Sequence, residues 1–103
     1  MKQSTYDKAF ATTMLMLESK NLDMKEKVIY LGSGCYLLIT VDRVTREDMS
    51  KGKYTSEYYV GEPIKLTYQV LKRNCEELYR VELPYPKESE ILEELPRITH
   101  MYA

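Results

Sequence analysis

The residues able to do chemistry in this 103-residue chain are few and widely spread. His100 is the only histidine, so any Ser-His-Asp or Cys-His arrangement for nucleophilic attack must use it. It stands in a stretch, 97–103, that reads as a tail open to fraying. A zinc site built on Cys35 and Cys75 would need the same histidine, and the two cysteines lack the close spacing of zinc ligands. Gly32-Ser33-Gly34 precedes a strand rather than a helix, so it reads as a tight hairpin turn and not as a phosphate-binding loop. Asp42, Glu47, Glu57 and Glu62 fall in or near strand ends. With Lys65 after Glu62 they faintly echo the converging acids and lysine of a metal-dependent nuclease. Strand alternation, however, puts Glu57 and Lys65 on a polar face where surface charge is expected. These residues predict no enzyme, no metal site and no cofactor.

The side chains suited to binding are better grouped. Arg43, Arg46, Lys51 and Lys53 lie beside Tyr54, Tyr58 and Tyr59, a mixture that suits phosphate contact and base stacking. A small nucleic-acid-binding domain using this 43–53 loop is therefore one reading. Tyrosine is also favoured at the buried centres of protein interfaces. The chain holds ten Tyr against one Phe and no Trp, more rings than a core of this size needs. Tyr36, on an earlier strand, joins the patch. Through residue 75 there are twelve basic and nine acidic residues, and from Glu76 onward three basic and seven acidic. Glu88, Glu90, Glu93 and Glu94 concentrate that acidity on one segment, offering a surface to a basic partner.

The leading expectation is a non-catalytic protein-interaction module, a stoichiometric regulator or inhibitor of a partner protein, of the type encoded by phages and mobile elements. Its expected partner-binding residues are Tyr36, Arg46, Lys51, Lys53, Tyr54, Tyr58, Tyr59, Glu90, Glu93 and Glu94. Pairing of an exposed edge strand into a homodimer is a further expectation. A net charge of −1 argues against a general nucleic-acid binder. No leader-like segment and no apolar run of about 20 residues is present, which predicts a cytoplasmic protein with reduced thiols and no membrane partner.

The elements that must position these residues follow from periodicity. Tyr6, Ala9, Phe10, Thr13, Met14 and Leu17 recur at spacings of three and four, predicting a helix over 5–20 capped by Ser4. Residues 28–31 and 35–44 read as a hairpin around the glycines, the second run being apolar on both faces. Residues 45–53 read as a charged loop or one helical turn. Strands are predicted over 54–60, 64–71 and 77–83. In the last two, Ile64, Leu66, Tyr68, Val70, Tyr79, Val81 and Leu83 face inward. Ser89 caps a short helix over 90–95 that Pro96 stops. That order is loosely similar to the α-β-β-β-α core of double-stranded-RNA binders, from which the chain departs in its acidic second helix. The expected fold is α+β over residues 1–103: two layers, an antiparallel sheet of about five strands, and both terminal helices on one face.

Overall fold

Alternation in the second half of the chain sets the architecture. A computed structural model describes residues 2–19 and 21–103. Its elements are α1 (Lys2–Glu18), β1 (Glu26–Gly32), β2 (Cys35–Arg43), α2 (Arg46–Ser50), β3 (Pro63–Lys72), β4 (Glu77–Pro84) and α3 (Glu88–Tyr102). The strands form one antiparallel meander in the order β1-β2-β3-β4. The β1–β2 and β3–β4 links are too short for a parallel crossover, while the longer β2–β3 link is pinched at its base so that those strands also run antiparallel. Ser33 and Gly34 close the first hairpin with φ of 55° and 76°. Two positive φ values in a two-residue turn match the right-handed twist of the strands, and glycine adopts one at no steric cost.

One face of the sheet is covered. Ile29 and Leu31 of β1, Leu37, Ile39 and Val41 of β2, Leu66, Tyr68 and Val70 of β3, and Leu83 of β4 are buried there. They meet Ala9, Thr13 and Met16 of α1 and Ile91, Leu95 and Ile98 of α3. The helices also pack against each other. Tyr68 is wholly buried, and its hydroxyl lies 2.8 Å from Thr13 Oγ1. Thr13 donates its own proton to the Ala9 carbonyl at 2.8 Å, so the phenol is the donor between the two. Burial holds that phenol well above the ordinary tyrosine range. Cys35 is buried and Cys75 exposed, both as free thiols.

The α+β class and antiparallel sheet match expectation, with four strands in place of five. Residues 54–60 are not a strand but a looped excursion between β2 and β3. Val44 and Gly61 close its stem, through Gly61 N–H to Val44 O at 2.8 Å and Val44 N–H to Glu62 O at 2.9 Å. Inside, Tyr58 N–H turns back to Thr55 O and Glu62 N–H to Tyr59 O. The alternating rings of 54–60 have no neighbouring strand to pair with; Tyr54 and Tyr58 pack on each other instead.

Both helices also differ from expectation. α1 begins at Lys2, so Ser4 lies inside its first turn rather than capping it, and Glu18 ends it before the expected limit. Residue 20, that limit, is outside the described residues. α3 runs through Pro96 to Tyr102, so 97–103 is mostly helix and Ser89 lies within it. At its start the Glu90 carboxylate accepts the Lys87 N–H at 3.0 Å. A helical proline costs about 3 kcal/mol. Burial of Ile91, Leu95 and Ile98, at about 1.5–3 kcal/mol each, outweighs it. Pro96 itself is exposed, so its ring meets solvent and not the core.

Candidate functional site

Among the described residues, no helix packs on the sheet's second face. Because side chains alternate, β2 gives it Tyr36, Leu38, Thr40 and Asp42. Register places Val28 and Leu38 beside Gln69 and Arg80, and Tyr30 and Tyr36 beside Leu71 and Glu77. An apolar and aromatic patch results: Val28, Tyr30, Tyr36, Leu38 and Leu71. Val28 is 62% exposed and Tyr30 55%, while the other three are half-buried. The Tyr30 and Tyr36 rings sit 5.3 Å apart, tilted by 53°, within the range where such pairs attract.

Beside the patch runs a polar framework. Arg80 donates to Glu82 at 2.7 Å and reaches Glu77 at 3.5 Å. Gln69 donates to Glu77 at 2.8 Å, and Lys65 lies 3.6 Å from Asp42 and 3.8 Å from Glu82. The Arg80 hydrogen bond, aided by Lys65, holds the Glu82 carboxyl below its usual range. These groups are nearly half exposed, so solvent screens each pair and its contribution to stability is small. What they fix is the position of charge next to an apolar surface.

The expected site residues fall in three places. Lys53, Tyr54 and Tyr58 do come together. The Tyr54 and Tyr58 rings are 5.2 Å apart, Tyr85 adds a third ring 6.2 Å from Tyr58, and Lys53 Nζ lies 5.8 Å from the Tyr54 ring centre. A hydrogen bond to Tyr85 pushes the Tyr58 phenol up. Arg46 opens α2, which Thr45 caps by accepting the Asp48 N–H, and Lys51 at its C-terminal cap pairs with Glu47 at 2.8 Å. Tyr59 is half exposed, its N–H bonded to Glu62 at 3.2 Å. Tyr36 lies at the other end of the sheet, opposite Leu71. Glu90, Glu93 and Glu94 lie on α3, in the helix layer on the far side of the sheet. Glu94 is committed inward, accepting Tyr79 Oη at 2.9 Å and Arg97 at 3.4 Å, and Glu93 lies 3.9 Å from Arg97.

Arg43 corrects a further expectation. Rather than leaving the core with the basic loop, it is 7% exposed. Its guanidinium donates to the carbonyls of Ser19 at 2.8 Å and Gly61 at 3.0 Å, to that of Met16, and to Met24 at 3.5 Å. Two of these close the C-terminal end of α1, where helical carbonyls lack partners and positive charge is favoured. Desolvation lowers its pKa. This guanidinium is therefore withdrawn from any surface role.

Sequence reasoning missed Val28, Tyr30, Leu38, Leu71 and Tyr85. The signal for Leu38 was the apolar character of both faces of 35–44, which here marks a patch rather than a doubly covered strand. Among the described residues no three His, Cys, Asp or Glu side chains gather where they could hold a metal ion, and no helix is long and apolar enough to cross a membrane. No family model matches the chain, and no curated protein and no solved structure is similar to it.

Proposed function

We propose that the chain is a non-catalytic protein-interaction module that acts by occupying the surface of a partner protein, as a stoichiometric regulator or inhibitor does. One observation carries this reading. The uncovered sheet face holds a contiguous patch of Val28, Tyr30, Tyr36, Leu38 and Leu71, rimmed by the charged groups of β3 and β4. An apolar centre with aromatic anchors and a polar rim is the anatomy of a binding surface. The test is affinity capture with the immobilised full chain, wild type against Tyr36→Lys with Leu38→Lys, both checked for folding by circular dichroism. A specific partner protein retained by wild type and lost from the variant is the expected result. No specific partner for the wild type, or the same partners on both, would overturn the reading.

A further inference from the structure

The hydrogen-bond phase of the sheet shows which backbone groups of its edges face outward. Val41 N–H bonds to Lys25 O at 2.8 Å, and Glu26 stands opposite Thr40. In an antiparallel ladder, bonded pairs alternate. Lys27 and Ile29 therefore bond to Ile39 and Leu37, while Glu26, Val28 and Tyr30 point their N–H and C=O groups away from the sheet. At the other edge, Tyr85 N–H bonds to Ile64 O at 2.9 Å. By the same alternation Val81 and Leu83 bond inward to β3, and Arg80, Glu82 and Pro84 face outward. Proline has no N–H, and charge discourages pairing, so β4 carries two of the usual guards of an edge strand. The middle of β1, Val28-Ile29-Tyr30-Leu31, carries neither.

We propose that β1 pairs antiparallel with β1 of a second copy of this chain, with Ile29 on the two-fold axis, to give a continuous eight-stranded sheet. Three arguments select this occupant and register. Outward groups must meet outward groups, which allows only registers pairing 26, 28 and 30 among themselves. Ile29 is the middle residue of Glu26–Gly32, so this register overlaps the whole strand. It also sets Val28 against Tyr30 of the partner copy, twice, and leaves Lys27 opposite an apolar Leu31. Centring on Lys27 would instead oppose like charges, and centring on Val28 would set Glu26 against a tyrosine ring. Each Val28–Tyr30 pair exchanges two backbone hydrogen bonds, so the axis generates four. The side chains of these same residues lie on the uncovered face, so pairing joins the two patches into one. The dimer does not depend on the partner-docking reading, because it is measured on the isolated protein. A strand pair alone falls toward the low end of stable interfaces, which bury about 1,200–2,000 Å², so dimerisation depends on concentration.

Sedimentation equilibrium of the full chain, from micromolar to millimolar, reads the mass. Wild type approaches twice the monomer mass. Val28→Lys with Tyr30→Lys places lysine opposite lysine at both pairs and raises the dissociation constant at least about 100-fold. Both side chains are exposed, so the variant keeps its circular dichroism spectrum. Mixing it with Val28→Glu/Tyr30→Glu restores the dimer. Register is read by oxidation in a Cys75→Ser background. Opposed residues of a bonded pair have Cα atoms about 5.5 Å apart, within disulfide reach. A mixture of Val28→Cys and Tyr30→Cys therefore cross-links more than either alone. A monomer at all concentrations, or a dimer indifferent to the lysine pair, would overturn the proposal. Val28→Cys cross-linking to itself as well as to Tyr30→Cys would overturn the register.

Discussion

The two edge strands of this sheet differ in how the helices cover them and in how their outer backbone is guarded. On the helix side Ile29 and Leu31 of β1 are both buried, whereas β4 buries Leu83 and leaves Tyr79 and Val81 half-buried. On the uncovered side β1 shows Val28 and Tyr30, whereas β4 shows Arg80 and Glu82 and ends in Pro84. In an antiparallel strand the residues that turn their backbone outward are also those whose side chains share one face. Three residues on each edge thus decide both how sticky the face is and whether the backbone beside it accepts another strand.

Four experiments break or sharpen this contrast. The largest effect comes from removing the guards of β4. Arg80→Val with Glu82→Val and Pro84→Thr gives the sheet two open edges, and light scattering should show open-ended assembly in place of a defined small species. If the mass stays unchanged, charge and proline are not what closes that edge. Next come the buried residues. Ile29→Ala and Leu83→Ala should each lower stability to denaturant by about 2–4 kcal/mol. Val28→Ala, measured where the protein is monomeric, should stay under about 1 kcal/mol, and Glu82→Ala should leave the denaturation midpoint nearly unmoved. Equal costs at Val28 and Ile29 would erase the distinction between faces. Third, amide exchange at Val28 and Tyr30 should be fast in dilute protein and slow at high concentration, while Arg80 and Glu82 stay fast throughout and Ile29 slow. The smallest effect is electrostatic. Glu82 has a depressed carboxyl, so its contribution is present above the ordinary carboxylate range and fades as pH falls through the depressed value. Arg80→Ala should move the Glu82 titration seen by NMR upward; an unmoved titration would mean that Arg80 does not hold it.

The strands that obey simple alternation were legible from sequence. Ile64, Leu66, Tyr68 and Val70 need only a period of two to be assigned a face, and the structure puts Leu66, Tyr68 and Val70 in the core. The segment 54–60 misled because tyrosine and valine favour strands, while whether a neighbour exists to pair with is a property of the whole fold. Pro96 suggests a helix end at 95, yet α3 continues through it to Tyr102. Ile91, Leu95, Ile98 and Tyr102 keep helical spacing across it, a signal present in the sequence. Arg43 resembles surface charge in the sequence because no local pattern shows that carbonyls of Met16, Ser19 and Gly61 will converge on it. The uncovered patch was half visible: Tyr36 was expected, but its companions depend on cross-strand register, which one strand's sequence does not carry.

The excursion between β2 and β3 divides the chain into mirrored halves, a helix followed by a hairpin and then a hairpin followed by a helix. Neither half can bury its apolar face alone, since the longest strand pairing, Cys35 to Arg43 against Pro63 to Lys72, and the packing of α1 on α3 both cross the divide. Arg43 and the Val44–Gly61 bonds clasp the stem of the excursion from both sides. Its exposed tip near Gly52 is thus a natural breakpoint. Two fragments expressed separately and divided there should be disordered alone and assemble when mixed, which makes this small fold a candidate for a split reporter.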